Sequence, residues 1–277
     1  MPNDASTAPI APLVQIADQL GQHAVGAFLI LLLLSTLIGG GVCRTIQQRR
    51  TRLQSDEGEP RPPRLLAGLV AGFLLILGAA GLFTLIAERI EVGRTLGLAD
   101  QVLADAIGQS VPWGVLVAFS WITHLGDAET VAVICTIVVL LLWRHAQRGL
   151  ALGLVLGLMG NVLLNPTLKH IFERTRPVHD HGLAHETSFS FPSGHSSGAM
   201  VTYGMLLYVA LRTLPPRWHV PATMGAIAAM LTIACSRIFL QVHFASDVAA
   251  GLLSGLAWVT VCVLSLEYAR HRKTRRR

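Results

Sequence analysis

Residues 65–87 read LLAGLVAGFLLILGAAGLFTLIA, a stretch with no charged side chain. A bilayer core takes ~20 consecutive, mostly apolar residues per helix, and this stretch offers no polar face to water. It reads as a membrane span. Comparable runs follow at Ala24–Val42, Asp127–Trp143, Gly149–Leu168, Ser196–Leu214, Val220–Phe239 and Val248–Leu266. In Asp127–Trp143, acidic Asp127 and Glu129 leave only a short apolar core. The composition agrees: of 277 residues, 52% are hydrophobic and only 14% charged, against about 25% charged in soluble domains. A soluble enzyme, a disordered chain and a disulfide scaffold are thereby excluded. The expected fold is an all-α polytopic membrane bundle of about seven helices, without an internal repeat.

The first run is not expected to be a cleaved signal peptide. The residues before it include Asp4 and Asp18 and no Lys or Arg, whereas a signal needs a basic start. Orientation follows from the basic residues, which gather in cytoplasmic loops. With the N-terminus outside, six lie in 43–64, Arg144 and Arg148 in one turn, Arg212 and Arg217 in another, and six in the C-terminal tail. Only Arg89, Arg94, Lys169, Arg174, Arg176 and Arg237 remain outside. An N-out, C-in topology is expected.

Three segments are expected: 1–64, an extra span and a basic linker containing Pro60, Pro62 and Pro63; 65–267, the main bundle; and 268–277, a basic tail. Within 88–126, on the outside, Val111–Thr123 with Trp113 and Trp121 suits a short amphipathic helix in the interface. The net charge of +6 belongs to this positive-inside pattern, and no nucleic-acid motif accompanies it. Cys43, Cys135, Cys235 and Cys262 sit in or beside apolar runs, with neither disulfide-framework nor metal-ligand spacing.

Four of the six outside cations, Lys169, Arg174, Arg176 and Arg237, fall near the ends of two spans, beside His195 and His243. Cations placed against the bias need another reason, and anion binding supplies one. The first element is KHIFERTRP, Lys169 to Pro177. If the helix continues past its span, Lys169 and Arg176 share a face, with Pro177 marking the end. An ammonium and a forked guanidinium together suit the several oxygens of a phosphate. The second is FPSGH, Phe191 to His195, where Ser193 and Gly194 leave backbone amides exposed at a helix start, a natural phosphate site. The third runs from Ser236 and Arg237 to His243 and Asp247. Asp247, four residues after His243, is placed to accept a hydrogen bond from one ring nitrogen and leave the other free to attack. Singly, each has a plainer reading: cations snorkelling to headgroups, an ordinary helix start, a structural His–Asp pair.

In this order and spacing the three elements resemble the signature motifs of the type 2 phosphatidic acid phosphatase superfamily, K-x6-R-P, P-S-G-H and S-R-x5-H-x3-D, over roughly residues 65–267. The resemblance implies a metal-independent phosphatase, without cofactor, that forms a phosphohistidine. Carried over position by position, His243 is the nucleophile, Asp247 orients it, and His195 protonates the leaving oxygen. Lys169, Arg176 and Arg237, with Ser193 and Gly194, hold the phosphoryl oxygens. Fixed positive charge suits the chemistry, because unaided phosphate-ester hydrolysis is extremely slow.

The expected substrate is a lipid phosphate anchored in the bilayer: undecaprenyl diphosphate, phosphatidylglycerol phosphate, phosphatidate or a lipid A phosphate, met at the extracytoplasmic face of a bacterial inner membrane. Membrane lipids are the expected surroundings, with no nucleic acid and no obligate protein partner. Competing readings are a lipid phosphotransferase using the same intermediate and a phosphate-binding transporter, which would need no nucleophile. A vanadium haloperoxidase has a similar site, but those enzymes are soluble. His179, His181 and His185, with Asp180 and Glu186, fit no common zinc spacing and read as solvated loop residues. His170 and Glu173 are expected to face away from the Lys169–Arg176 stripe, and Asn165-Pro166 to kink its helix.

Overall fold

The computed structural model describes residues 12–55, 64–90, 95–178, 182–184 and 186–275. They form α1 (Pro12–Gln22), α2 (Ala24–Ser55), α3 (Arg64–Ala87), α4 (Thr95–Ser110), α5 (Trp113–Ile122), α6 (Ala128–Arg144), α7 (Arg148–Phe172), α8 (Gly194–Thr213), α9 (His219–Phe239) and α10 (Ala245–Arg275). Every expected span lies on a helix. Five helical stretches are long and apolar enough to cross a bilayer: those of α2, α3, α7, α9 with the turn before it, and α10. The pair α4–α5 would make a sixth only if counted as one span, and it is bent by 115°.

Length and apolarity therefore give five to six spans rather than the expected seven. The difference lies in α6 and α8. α6 has 17 residues, and α8 carries Ser196, Ser197, Thr202 and Tyr203. α8 tolerates this because it is central: Ser196, Ser197, Thr202 and Met205 are buried among α7, α9 and α10, so it shows little of itself to lipid. The short helix expected within 111–123 forms as α5, but it is apolar on both faces rather than amphipathic: it buries Leu116 and Phe119 and exposes Trp113 and Trp121.

Close packing relies on small residues, which allow backbones to approach where lipid supplies no hydrophobic drive. Gly72 of α3 faces Leu264 of α10. Gly39 and Gly40 of α2 face Ile227 and Met224 of α9, and Gln47 donates to the Pro216 carbonyl at 2.9 Å. Phe28 of α2 packs edge-on against Phe119 and Phe239, which stack at 4.2 Å. The first long helix is thus seated on the bundle. α1 lies on α4, where Ser110 Oγ donates to the Gly21 carbonyl at 2.9 Å.

The helices alternate in direction, so α7 and α9 finish where α8 and α10 begin. The Ser193 amide donates to the Asp247 carbonyl at 3.0 Å across that junction. All three motifs meet at this one end.

Candidate active site

α7 runs through Pro166 as a single helix and stops at Phe172, where Glu173 turns left-handed at φ 45°. The expected continuation to Arg176 does not form, and residues 173–178 leave without helical structure. Lys169 and Arg176 converge nonetheless. Lys169 Nζ donates to Ser188 Oγ at 2.8 Å, and Arg176 Nη2 reaches the same oxygen at 3.2 Å. Arg176 also donates from Nε to the Ser188 carbonyl at 2.7 Å and from Nη1 to the Val242 carbonyl at 2.6 Å. The loop, rather than a helix face, brings the two cations together.

Ser193 caps α8, accepting from the Ser196 amide at 3.4 Å and the Ser196 hydroxyl at 2.8 Å. It is fully buried, so its hydroxyl first serves the helix start. Gly194 lies over Asn165, whose Oδ1 would be 3.1 Å from any added Cβ. His195 projects one residue into the helix, its Nε2 2.9 Å from Asp127 Oδ1. Asp127 in turn lies 2.6 Å from His124 Nδ1 through its other oxygen. Asp127 weakened the reading of a span; here it is the residue paired with His195.

Arg237, at the end of α9, is 3% exposed. It donates to Thr123 Oγ1 at 2.9 Å and to Glu186 Oε1 at 2.5 Å, while its Nε is buried with no partner among the described residues. Glu186 bridges toward Arg176, its second oxygen 3.8 Å from Nη2. Burial alone would raise the Glu186 carboxyl, but Arg237 and Arg176 outweigh it and hold the group below the usual carboxylate range.

His243 sits buried in the turn between α9 and α10. Its Nδ1 is 3.6 Å from Asp247 Oδ2, outside hydrogen-bond reach. The expected direct bond is replaced by a bridge: Ser190 Oγ lies 3.3 Å from Nδ1 and donates to Asp247 Oδ2 at 2.5 Å. The same Asp247 oxygen accepts from the Phe244 amide at 2.9 Å. On the opposite side of the ring, Arg176 Nη1 is 3.1 Å from Nε2. A guanidinium can only donate, so the lone pair belongs on Nε2 and the proton on Nδ1. Burial, reinforced by Arg176 and Arg237 and opposed by Asp247, pushes the imidazole down to about 4. The ring is neutral at ordinary pH, with its basic nitrogen among cations.

A cavity of about 670 Å³ opens beside Lys169, Arg176, Glu186 and Ser188. A larger one, about 870 Å³, lies on the other side of Arg174 between α3, α4 and the end of α7, lined by Phe83, Leu98, Phe172 and Phe244. No metal-holding group of three or more His, Cys, Asp or Glu occurs among the described residues; His179, Asp180, His181 and His185 lie outside them. Sequence reasoning missed Asp127, Ser190 and the roles of Glu186 and Arg174. An acid at the edge of an apolar run needs a partner, and that signal was available for Asp127.

The geometry is that of a buried imidazole with Arg176, Lys169 and Arg237 gathered around it at one end of the helical bundle. A family profile described as the PAP2 superfamily matches residues 149–271. Phosphatidylglycerophosphatase B of Bacillus subtilis (strain 168) is 33% identical over 180 residues, 63% of this chain and 86% of that protein. A putative undecaprenyl-diphosphatase of Escherichia coli (strain K12) is 31% identical over 59% of this chain and 79% of its own length. The crystal structure of a transmembrane PAP2-type phosphatidylglycerolphosphate phosphatase from Bacillus subtilis superposes with TM-score 0.65 at 27% identity, covering 68% of this chain and 94% of that one. The chain belongs to the PAP2 superfamily, as an integral membrane member.

Proposed function

We propose that this protein is a lipid phosphatase or diphosphatase whose nucleophile is His243. The observation that carries the reading is the buried His243 Nε2 3.1 Å from Arg176 Nη1, with Lys169 and Arg237 close by. In the first step Nε2 bonds to phosphorus, and the bond from phosphorus to the lipid oxygen breaks. His195 gives that oxygen a proton, with Asp127 steadying the ring. Charge appearing on His243 is met by Asp247 through Ser190. In the second step water attacks the phosphohistidine, His195 takes its proton, and inorganic phosphate leaves. Lys169, Arg176 and Arg237 hold the charge building on the transferring group, and no step calls for a metal.

The core is taken as 65–267. The substrate keeps its chain in the bilayer and presents a terminal phosphate, as in phosphatidylglycerol phosphate or undecaprenyl diphosphate. The split of basic residues between the loops supports an extracytoplasmic site.

The test uses purified protein with a panel of lipid phosphates, with and without EDTA, assayed for free phosphate. We expect release that EDTA leaves intact, and an acid-labile, base-stable phosphoprotein after brief labelling. His243→Ala should cut turnover by at least about 10⁴-fold and remove the label; a retained label places the nucleophile elsewhere. For sidedness, a cysteine at Val178, which is 85% exposed, should react with an impermeant thiol reagent in intact cells once the native cysteines are removed. Reaction only after lysis overturns the orientation.

A further inference from the structure

Arg174 lies two residues from Arg176 in sequence, but it faces a pair of carboxylates. Its Nη1 donates to Asp247 Oδ1 at 2.5 Å and to Ser246 Oγ at 2.7 Å, and its Nη2 donates to Asp100 Oδ2 at 2.9 Å. The Phe244 ring lies 4.3 Å from the guanidinium carbon. Asp100 belongs to α4, outside all three motifs, and is 4% exposed. It accepts from the Ser246 amide at 3.1 Å and also from the Ser246 hydroxyl. One helical turn further along α4, the Ala104 carbonyl accepts from Gln241 Nε2 at 2.6 Å. Gln241 holds a left-handed backbone at φ 48°. α4 therefore grips the catalytic turn on both sides of His243, at Gln241 and at Ser246.

A guanidinium bonded to Asp247 alone would draw off the negative charge that steadies the imidazole. Asp100 restores it: two carboxylates and one guanidinium leave a net charge of minus one. We propose that Asp100 and Arg174 are positioning residues for the His243–Asp247 pair, Arg174 fixing the Asp247 carboxylate and Asp100 offsetting the charge that Arg174 brings. This rests on His243 as nucleophile, which the phosphoprotein label in wild type and its loss in His243→Ala test separately and first.

The charged groups around His243 are Asp247 from α10, Arg237 from α9, Lys169 from α7, Arg174, Arg176 and Glu186 from the loop after α7, His195 from α8 with Asp127 behind it, and Asp100 from α4. Arg174 also lines the cavity beside Lys169, but its guanidinium nitrogens are engaged by Ser246, Asp247 and Asp100, so it and Asp100 act through Asp247. Steady-state kinetics of the full-length purified protein should be measured from about pH 2.5 to 9 for Arg174→Gln, Arg174→Lys, Asp100→Asn and the Asp100→Asn/Arg174→Gln double variant, with thermal unfolding as the folding control.

We expect Arg174→Gln to lower kcat by roughly 10- to 100-fold with KM within about threefold. It should move the acid limb of kcat/KM to higher pH by about one unit, because the imidazole has lost a neighbouring positive charge. The double variant should bring that limb back to the wild-type position while kcat stays low. Arg174→Lys should keep the limb and lose kcat, since the charge remains without the fork. If Arg174→Gln does not fold, Asp100→Asn decides: its limb should move to lower pH with KM unchanged. A limb that stays fixed in Arg174→Gln, or in Asp100→Asn where that variant decides, overturns the proposal. So does a raised KM with kcat intact, which would put Arg174 on the substrate.

Discussion

The two ends of the bundle carry charge in opposite ways. At the end formed by the α6–α7 and α8–α9 turns, the ion pair Arg212–Glu267 spans 3.6 Å with its side chains 34% and 35% exposed. Tyr208 donates to Glu267 at 2.6 Å, and Arg148 lies over the Trp143 ring. At the other end Asp247 and Arg237 are buried, and each carboxylate or guanidinium serves two or more partners. A half-exposed pair is screened by water and contributes little. A buried one is expensive unless fully paired, and removing one member strands the rest. On the orientation proposed above, basic residues at the first end are where topology would place them for any protein. At the second they are held in place by chemistry.

Substitutions at the two ends should therefore differ sharply. The largest effect in this series is expected for Arg237→Gln, with turnover falling about 10²- to 10³-fold, as for loss of a preorganised donor. The sign of its pH effect follows from His243. Protonated His243 cannot attack, so the rate drops as pH falls through its pKa. Arg237 disfavours protonation, so its removal should move the acid limb of kcat/KM to higher pH. A large loss with an unmoved limb would mean that Arg237 does not act on the imidazole. Next comes Asp127→Asn, expected to cost roughly 10- to 100-fold on a lipid alkyl phosphate and much less on an activated aryl phosphate, whose leaving group needs no proton. Equal losses on both would separate Asp127 from proton donation. The smallest effect belongs to Glu267→Gln: activity within about twofold and stability changed by less than about 1 kcal/mol in thermal unfolding. A larger effect there would dissolve the contrast between the ends.

Much of this was legible beforehand. Apolar runs put helices where they occur, because a segment in lipid must satisfy its backbone internally. The motif spacing picked out Lys169, Arg176, Ser193, Gly194, His195, Arg237, His243 and Asp247, and the structure gathers them at one end. Two local expectations failed for identifiable reasons. Helical continuation to Arg176 assumed that Pro177 set the boundary, but the chain turns at Glu173. The four-residue spacing of His243 and Asp247 does bring them within 3.6 Å, but too far for the expected hydrogen bond, and Ser190 from a distant loop supplies the bridge. Asp100, Ser190 and Glu186 were illegible as partners because no periodicity links a loop or a peripheral helix to a site assembled from other parts of the chain. The seven-span expectation counted apolar runs one by one, whereas length and apolarity give five to six; α6 is short and α8 is enclosed by other helices, so it need not be apolar toward lipid.

Glu186, seated against Arg237 and reaching toward Arg176, means that the resting pocket already holds an anion of its own. On the proposed function, a phosphate seated against Arg237 and Arg176 exchanges with this carboxylate, and its measured affinity is then the difference between two occupants. A phosphate monoester, with up to two negative charges, gains more from the trade than a phosphodiester headgroup with one. A membrane surface crowded with diesters would then compete poorly for the site, even at far higher concentration.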